Sequence, residues 1–257
     1  MTRTAGLAEV ASRLDAAILA ARATHQMPDA EQFDAATGYA VQEMGIELRR
    51  RRGERVIGVK MGLTSRAKMA QVGVDEVTWG RLTDTMRREE GGELVRGDFI
   101  HPRAEPEIAF ILKRRLQGEV SLAEAALAIE AVAPAVEIID SRYENFRFSL
   151  GDVVADNSSS AAFFLGALAR PDTDIANLGI VLSIDGRPRE IGSSAAILGH
   201  PLRALVAAAR MTARSGLALE PGDIVLAGAA TAAVPLAVGM QVEAEMQNLG
   251  RLAFSVA

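Results

Sequence analysis

Two β-type segments that carry carboxylates constrain this chain more than any other part of its sequence. Residues 101–110 read HPRAEPEIAF, and further along residues 136–140 read VEIID. Alternate side chains of an extended strand share a face, so Glu105 and Glu107 point to the same side, with Cα atoms roughly 6.6 Å apart. Glu137 lies between two apolar residues that would face the core. The pattern predicts three carboxylates, from two strands, around one cation.

The available ligand types narrow the choice of metal. Mg²⁺ and Mn²⁺ take carboxylate and water ligands, whereas zinc and copper sites usually draw on thiolate and imidazole. The chain has no cysteine, and its three histidines are His25, His101 and His200. The sequence therefore favours Mg²⁺ or Mn²⁺, with His101 as a structural group rather than a ligand. The alternation of acidic and apolar residues along the strand also fits another interpretation, in which Glu105 and Glu107 lie on the solvated face of a half-exposed strand.

Composition excludes some classes of function. The net charge is −5 and the pI is near 5.4, so no broad basic field is available for a nucleic-acid backbone. Charged residues interrupt the first turns of the chain, which is not typical of a signal peptide. The uncharged stretch 224–242 is broken by Gly228, Pro235 and Gly239, which favours a strand, a loop and a second strand over a membrane span. We expect a cytoplasmic protein that binds neither nucleic acid nor membrane.

The pattern of elements predicts an α+β fold. Apolar spacing predicts a helix over residues 5–22, and Asp34 is predicted to cap a second helix that runs to about Leu48. A capping box at Ser121 predicts a helix to about Glu130, and Pro201 opens another that ends near Gly216. Runs typical of β-strands are residues 56–61, 100–112, 132–139, 161–165, 180–184, 223–226, 241–246 and 252–256.

These elements suggest how the chain is divided. Many strands with a few intervening helices predict a mixed β-barrel or roll rather than a doubly wound sheet. We expect a small helical N-terminal lobe over residues 1–55 and a β-rich catalytic domain over residues 56–257. Asp185-Gly186 between two apolar runs predicts a hairpin.

Other polar residues interrupt apolar runs. Lys60 lies at the end of a predicted buried strand, before a turn into a predicted helix, and must either reach solvent or pair with an acid. Residues 155–160, ADNSSS, read either as an ordinary turn or as a substrate-binding loop. Arg142 either clamps a carboxylate or pairs with Asp140.

Five segments taken together carry a family resemblance. They are GVKMGLTS (58–65), WGRLTD (79–84), HPRAEPEIAF (101–110), VEIIDSRY (136–143) and ADN (155–157). In this order they resemble the hydratase/decarboxylase family of the meta-cleavage pathway, within the fumarylacetoacetate-hydrolase-like superfamily. Two further segments, GSSAAILG (192–199) and LAGAAT (226–231), are similar to the decarboxylase branch rather than the hydratase branch.

The resemblance implies a fold, a metal and a reaction. It implies that Glu105, Glu107 and Glu137 hold Mg²⁺ or Mn²⁺ and that Lys60 is catalytic. The implied reaction is metal-dependent decarboxylation of 2-oxohex-3-enedioate, a small 2-oxo dicarboxylate, to 2-hydroxypenta-2,4-dienoate and CO₂. A homo-oligomer and a complex with the hydratase of the pathway are also implied. The substrate contacts are expected at Lys60, Leu63, Arg142 and Ser159.

Three other functions are alternatives. The hydratase adds water to 2-hydroxypenta-2,4-dienoate, and hydratases of this family tend to carry an Asp where this chain has Thr78, which weakens that assignment. A C–C bond hydrolase needs a base that activates water, and the N-terminal lobe offers only His25 for that role. A non-catalytic subunit in which the metal only stabilises a partner-binding surface is a different class of function.

Overall fold

The computed structural model describes residues 3–26, 34–65 and 76–257. Its helices are α1 (Arg3–Leu19), α2 (Ala35–Arg51), α3 (Leu122–Leu127), α4 (Leu150–Ala155) and α5 (Leu202–Arg214). Its strands are β1 (Val56–Gly62), β2 (Thr78–Thr83), β3 (Arg87–Arg88), β4 (Glu93–Leu94), β5 (Arg103–Leu112), β6 (Ile129–Ile139), β7 (Ser160–Leu165), β8 (Gly179–Ile184), β9 (Arg187–Ser193), β10 (Ile224–Ala229), β11 (Val234–Pro235), β12 (Gln241–Met246) and β13 (Gly250–Val256).

The strands form two mixed sheets around one apolar core. An eight-stranded sheet has the order β2-β1-β10-β5-β6-β7-β3, with β11 added beside β5. A five-stranded sheet has the order β4-β13-β12-β8-β9. The rings of Phe164 and Phe254, one from each sheet, stack with centroids 4.0 Å apart inside the shared core. The predicted α+β architecture is confirmed.

The two long N-terminal helices pack on each other and on α4. Val10, Leu14 and Val41 are buried in one cluster with Tyr143 from beyond β6. The predicted cap of α2 is confirmed, since the Asp34 carboxylate accepts a hydrogen bond of 2.8 Å from the Thr37 amide. The proposed boundary of the N-terminal lobe at residue 55 stays a prediction.

Local signals predicted where elements begin better than where they end. The capping box at Ser121 is present, but α3 ends at Leu127 because Ile129 already pairs with Leu112 of β5. Asp185 and Gly186 join β8 to β9 with φ angles of 53° and 70°, which confirms the predicted hairpin. The helix predicted to follow the turn after Lys60 lies outside the described residues.

The chain between residues 224 and 242 forms strands and loops, as expected. It contributes β10 and β11 and leads into β12. No helix within the described residues has the length and apolar character that a membrane crossing requires.

The pairing of β5, β6 and β10 positions the polar residues of the larger sheet. β5 and β6 pair antiparallel over nearly their whole length, and this register places Glu105 directly opposite Glu137. β10 pairs with β5 on the other side, and its register shifts between Leu226 and Ala229, opposite Glu107. Such a bulge redirects backbone groups, here towards the carboxylate of Glu107.

Candidate metal centre

Three glutamates meet inside the larger sheet. One carboxylate oxygen from each of Glu105, Glu107 and Glu137 lies within 4.8 Å of those of the other two. Glu107 and Glu137 are each 0% exposed. Buried carboxylates repel one another and lose their hydration, so a group of three requires positive charge nearby.

The environment of Glu107 indicates where a cation fits. Its Oε2 accepts a 2.7 Å hydrogen bond from the amide of Gly228, whereas Oε1 is buried and has no hydrogen-bond partner among the described residues. Burial raises the pKa of Glu107 well above its ordinary value, Glu137 raises it further, and Lys60 opposes the shift. An unpartnered buried oxygen of this kind costs free energy unless a cation or a proton binds it. The donor set, all carboxylate, fits a hard divalent cation.

Glycine at position 228 permits this arrangement. Gly228 has a φ of +102°, and a Cβ at this position would lie 2.1 Å from Oγ1 of Thr64. Only a residue without a side chain both adopts this backbone conformation readily and leaves room for Thr64. The bulge in β10 therefore depends on this glycine to direct its amide at Glu107.

Lys60 supplies a cationic side chain beside the three glutamates. Its Nζ lies 2.8 Å from Oε2 of Glu137 and donates a 3.1 Å hydrogen bond to the backbone carbonyl of Ser158. Burial lowers the pKa of Lys60, but Glu137, Glu107 and Glu105 together outweigh burial and raise the pKa overall. The side chain is therefore charged near neutral pH. Three carboxylates lie close to this one ammonium, a charge arrangement that favours binding of a divalent cation.

The second oxygen of Glu137 is held by a hydroxyl. Ser160 Oγ donates a 2.7 Å hydrogen bond to Oε1 of Glu137. Burial raises the pKa of Glu137 and Glu105 adds to the shift, whereas Lys60 and Ser160 act in the opposite direction. Glu137 is thus fixed in orientation from both sides before any metal binds.

A left-handed turn brings two serines to the site. Asn157, Ser158 and Ser159 have φ angles of 52°, 50° and 59°, a conformation that non-glycine residues rarely adopt in succession. The Asn157 side chain stabilises the turn by accepting a hydrogen bond from the Arg81 amide (2.7 Å) and donating one to the Arg81 carbonyl (2.9 Å). Oγ of Ser159 is buried without a hydrogen-bond partner among the residues that the structure describes.

A cavity of about 360 Å³ opens beside Lys60 and Glu105. One part of its wall is polar and includes Thr78, Ser158 and Ser159. The other part is largely apolar and is formed by Ile139, Phe146, Phe148, Val153, Ala232 and Ala233. The cavity can hold a small molecule with one polar end at the carboxylates and the rest of its length against apolar side chains.

Most of the predicted site residues are close together. Lys60, Leu63 and Ser159 all line the cavity, and Leu63 has a φ of 54°, which turns the chain away from β1. Glu105 also lines the cavity, and Glu107 and Glu137 lie in one group with it. The roles predicted for these residues, as ligands, catalyst or substrate contacts, stay predictions.

Arg142 lies outside the wall of this cavity. Its guanidinium is 2% exposed and donates hydrogen bonds to the carboxylate of Asp156 and to the backbone carbonyls of Asp140 and Ser160. The carboxylate of Asp140 instead accepts hydrogen bonds from the amides of residues 100 and 101. Arg142 is not part of the cavity wall described above, so the structure gives no support to the predicted substrate contact. It pairs with an acid, as one interpretation held, but with Asp156 and not with the side chain of Asp140.

Two histidines lie outside the cavity wall. His25 is exposed, and its Nδ1 lies 3.0 Å from Oε2 of Glu144. The His101 ring contacts the Phe146 ring at a centroid distance of 5.1 Å, and burial lowers its pKa. His25, His101 and His200 are all absent from the cavity wall, so the structure gives no support to the hydrolase alternative.

Some residues at the site were missed by sequence reasoning. Ser160 and the Gly228 amide bind the glutamates, and Arg103 and Phe146 form part of the cavity wall. Arg103 carried a signal, because it shares the β5 face of Glu105 and Glu107. Ser160 and Gly228 belong to the ADNSSS and LAGAAT segments, but their contacts with the glutamates depend on strand pairing far away in the sequence, and Phe146 carried no signal.

Comparison with known proteins places this site in a family. The sequence model of the family described as "Fumarylacetoacetate (FAA) hydrolase C-terminal" matches residues 61–257. This chain belongs to the fumarylacetoacetate hydrolase family. The match includes all three glutamates and the whole β10 bulge.

Individual relatives narrow the relationship within the family. The chain is 54% identical to a 4-oxalocrotonate decarboxylase of Pseudomonas sp., over 97% of each chain. It is 36% identical to a 2-keto-4-pentenoate hydratase of Burkholderia vietnamiensis, over 95% of each. The 4-oxalocrotonate decarboxylase from Pseudomonas putida G7, solved with magnesium and adipate, superposes with a TM-score of 0.96 at 36% identity and covers 100% of this chain and 99% of its own. The chain therefore lies among the decarboxylases and hydratases of the family, as its motifs indicated.

Proposed function

We propose that this chain is a metal-dependent decarboxylase that converts 2-oxohex-3-enedioate, or 4-oxalocrotonate, to 2-hydroxypenta-2,4-dienoate and CO₂. One observation carries the proposal: three buried glutamates lie together with a buried lysine, and Glu105 and Lys60 of this group line one end of a small cavity, in a chain 54% identical to a 4-oxalocrotonate decarboxylase. The solved relative with magnesium and adipate supports a divalent metal and a six-carbon dicarboxylate as ligands.

The residues that would hold the metal are Glu105, Glu107 and Glu137. Mg²⁺ or Mn²⁺ suits their all-oxygen donor set, and the unpartnered Oε1 of Glu107 is one free ligand atom. When bound, the cation supplies positive charge that stabilises negative charge developing on a neighbouring keto oxygen.

The reaction requires charge to move along the substrate. The bond between C5 and C6 breaks, C6 leaves as CO₂, and the electron pair delocalises through C4 and C3 to the C2 oxygen as a dienolate. One proton then neutralises that oxygen to give the dienol. Lys60 carries an ammonium at this end of the cavity, so it stabilises the developing anion and is positioned to supply the proton.

The cavity wall favours loss of CO₂. Phe148, Val153 and Ile139 contribute apolar surface to the wall. Neutral CO₂ needs less solvation than a carboxylate, so the apolar part of the wall suits the leaving product better than the bound anion. Ser159, with its unpartnered hydroxyl, is a donor for a substrate carboxylate.

The hydratase is the second candidate, because hydratases of the family match along nearly the whole chain. Thr78 lines the cavity, and a threonine hydroxyl is a poor general base compared with a carboxylate. This residue argues for the decarboxylase. A homo-oligomeric state, a complex with the pathway hydratase and a cytoplasmic location stay predictions.

The test is an assay on 2-oxohex-3-enedioate that follows both CO₂ release and loss of ultraviolet absorbance, with and without Mg²⁺. We expect Mg²⁺-dependent CO₂ release, and a loss of roughly 10²-fold or more in Glu107→Gln, because the metal contributes several kcal/mol to the transition state. Glu245→Gln, an exposed acid on β12, is the matched control and should retain activity.

The other outcomes separate the alternatives. Hydration of 2-hydroxypenta-2,4-dienoate without CO₂ release from the six-carbon substrate would assign the chain to the hydratases. If neither reaction occurs while Mg²⁺ still raises the thermal stability of the wild type, the non-catalytic subunit becomes the better interpretation.

A further inference from the structure

Arg103 is a second cationic residue on the cavity wall, and its guanidinium has no anionic partner among the residues that the structure describes. Lys60 is engaged with Glu137 and Ser158. The guanidinium of Arg103 makes no ion pair or hydrogen bond with any residue in the described part of the chain. Its contact is with an aromatic face, since its central carbon lies 4.1 Å from the centroid of the Phe146 ring. A half-buried guanidinium that lines a cavity without an anionic partner is a ready binding group for an anionic ligand.

The ring beneath Arg103 is held in place by a strained turn. Asn145 and Phe146 have φ angles of 58° and 57°, which is unusual for a bulky residue such as phenylalanine. The Gln26 side chain donates hydrogen bonds to the carbonyls of Glu144 (3.0 Å) and Arg147 (2.7 Å), one on each side of this pair. The structure thus maintains an unfavourable backbone conformation whose effect is to place an aromatic ring under Arg103.

The spacing between Arg103 and the glutamates along β5 matches the length of a six-carbon ligand. Arg103 and Glu105 share a face of β5, with Cα atoms roughly 6.6 Å apart. Their partners in β6 are Ile139 and Glu137, and Ile139 also lines the cavity. The cavity therefore extends along two paired strands, from the carboxylates to Arg103. An extended six-carbon chain, with C–C bonds of about 1.5 Å, spans a similar length, roughly 6 Å.

We propose that Arg103 binds the second carboxylate of a six-carbon dicarboxylic substrate and so selects it over the five-carbon monocarboxylate. This assignment rests on the proposed function, in which the 2-oxo acid end of the substrate lies at the three glutamates. A planar guanidinium offers two parallel N–H donors to a carboxylate, and stacking on Phe146 orients it.

The chemistry of decarboxylation predicts how Arg103 affects the kinetics. The carboxylate that it binds becomes neutral CO₂, so the attraction is stronger in the ground state than in the transition state. Arg103 therefore lowers KM for the dicarboxylate and does not raise kcat. The product has lost this carboxylate and is released more readily for the same reason.

The test compares two saturated probes, 2-oxohexanedioate and 2-oxopentanoate, whose binding to the Mg²⁺-loaded protein is measured by calorimetry. We expect Arg103→Met to weaken 2-oxohexanedioate binding by about 10- to 100-fold, the range for a charge-assisted hydrogen bond, and to change 2-oxopentanoate binding less than about twofold. Arg103→Lys should lose less affinity because it keeps the charge. Arg147→Met, which removes an exposed arginine from the same turn, should bind both probes like the wild type.

The outcomes keep the two proposals separate. If the wild type binds 2-oxohexanedioate and Arg103→Met binds it equally well, the role of Arg103 is overturned while the proposed function stands. If Arg103→Met weakens the binding of both probes equally, the role is also overturned, because Arg103 would not distinguish the dicarboxylate from the monocarboxylate. If the wild type binds neither 2-oxo acid in the presence of Mg²⁺, the proposed function and the role of Arg103 fall together.

Discussion

At the scale of single residues, the site contains two buried polar atoms that have no hydrogen-bond partner in the described part of the chain. Oε1 of Glu107 and Oγ of Ser159 are both buried, and neither has a hydrogen-bond partner among the described residues. Folded proteins satisfy the great majority of buried polar atoms, so exceptions of this kind indicate where a ligand completes the bonding. Oε1 of Glu107 belongs to the group of three glutamates. Ser159 lines the same cavity as Lys60.

Ser159→Ala tests the assignment of the hydroxyl. Removing a donor to a charged carboxylate costs about 1.5–3 kcal/mol of binding, so we expect KM for 2-oxohex-3-enedioate to rise roughly 10-fold or more. The melting temperature should not fall, because no group in residues 3–26, 34–65 or 76–257 loses a hydrogen bond to this hydroxyl. Steady-state kinetics and thermal unfolding measure the two effects.

The matched control is Ser183→Ala on β8 in the smaller sheet, which should leave KM unchanged. A KM for Ser159→Ala equal to that of the wild type would show that the hydroxyl does not contact substrate.

At the scale of elements, irregularities in regular structure direct groups at the site. The bulge in β10 turns the Gly228 amide to Glu107, and the left-handed turn after α4 delivers the Ser158 carbonyl to Lys60. Both features cost conformational energy, and each is held by specific contacts from other elements. The strands supply rigidity, and these departures from regularity orient the functional groups.

Gly228→Ala tests the bulge. A Cβ here would lie 2.1 Å from Thr64 Oγ1 at a φ of +102°, so strain and overpacking should together reduce the free energy of unfolding by about 3 kcal/mol. Mg²⁺ affinity should fall as well, because the displaced amide no longer orients Glu107. Chemical denaturation and Mg²⁺ titration are the measurements.

Gly239→Ala provides a matched control for the backbone conformation. Gly239 has a φ of +89°, and a Cβ added there would have no described atom within 4 Å, so its substitution isolates the cost of the positive φ, about 1–2 kcal/mol. An equal loss of stability in both variants, with Mg²⁺ affinity intact in Gly228→Ala, would contradict the role given to the bulge.

At the scale of the whole molecule, the buried acidic group links stability to pH and metal. Without metal, burial raises the pKa values of Glu107 and Glu137 above 4.5, so the folded state holds protons that the unfolded chain releases. Raised pKa values of this kind contribute stability at low pH that is lost as the pH rises through the folded-state values. A divalent cation replaces these protons and restores the stability.

We therefore expect Mg²⁺ to raise the melting temperature by more at about pH 8 than at about pH 5.5, because protons compete with the cation at the lower pH. Thermal unfolding with Mg²⁺ and with a chelator, across this range, measures the difference. In Glu107→Gln the dependence of the Mg²⁺ effect on pH should become weaker. A Mg²⁺ shift that is constant across the range in the wild type would contradict the linkage.

The sequence by itself determined the local features of this protein. Alternation placed Glu105 and Glu107 on one face of a strand, Asp34 and Ser121 capped their helices, and Asp185-Gly186 formed a hairpin. Each depends on backbone conformations and side chains within a few residues, so a local pattern is sufficient. The motif resemblance added the family, which comparison with known proteins confirmed.

Only the tertiary structure decided which distant groups meet. The pairing of β5 with β6 set Glu105 opposite Glu137, and the order β1-β10-β5 carried Lys60 to the same place. Arg142 bound Asp156 rather than the side chain of Asp140, and Arg103 came to rest on Phe146. These contacts follow from strand register, a bulge and strained turns that are stabilised by packing across the whole fold. No stretch of sequence contains them, because their energies arise between residues that are far apart in the chain.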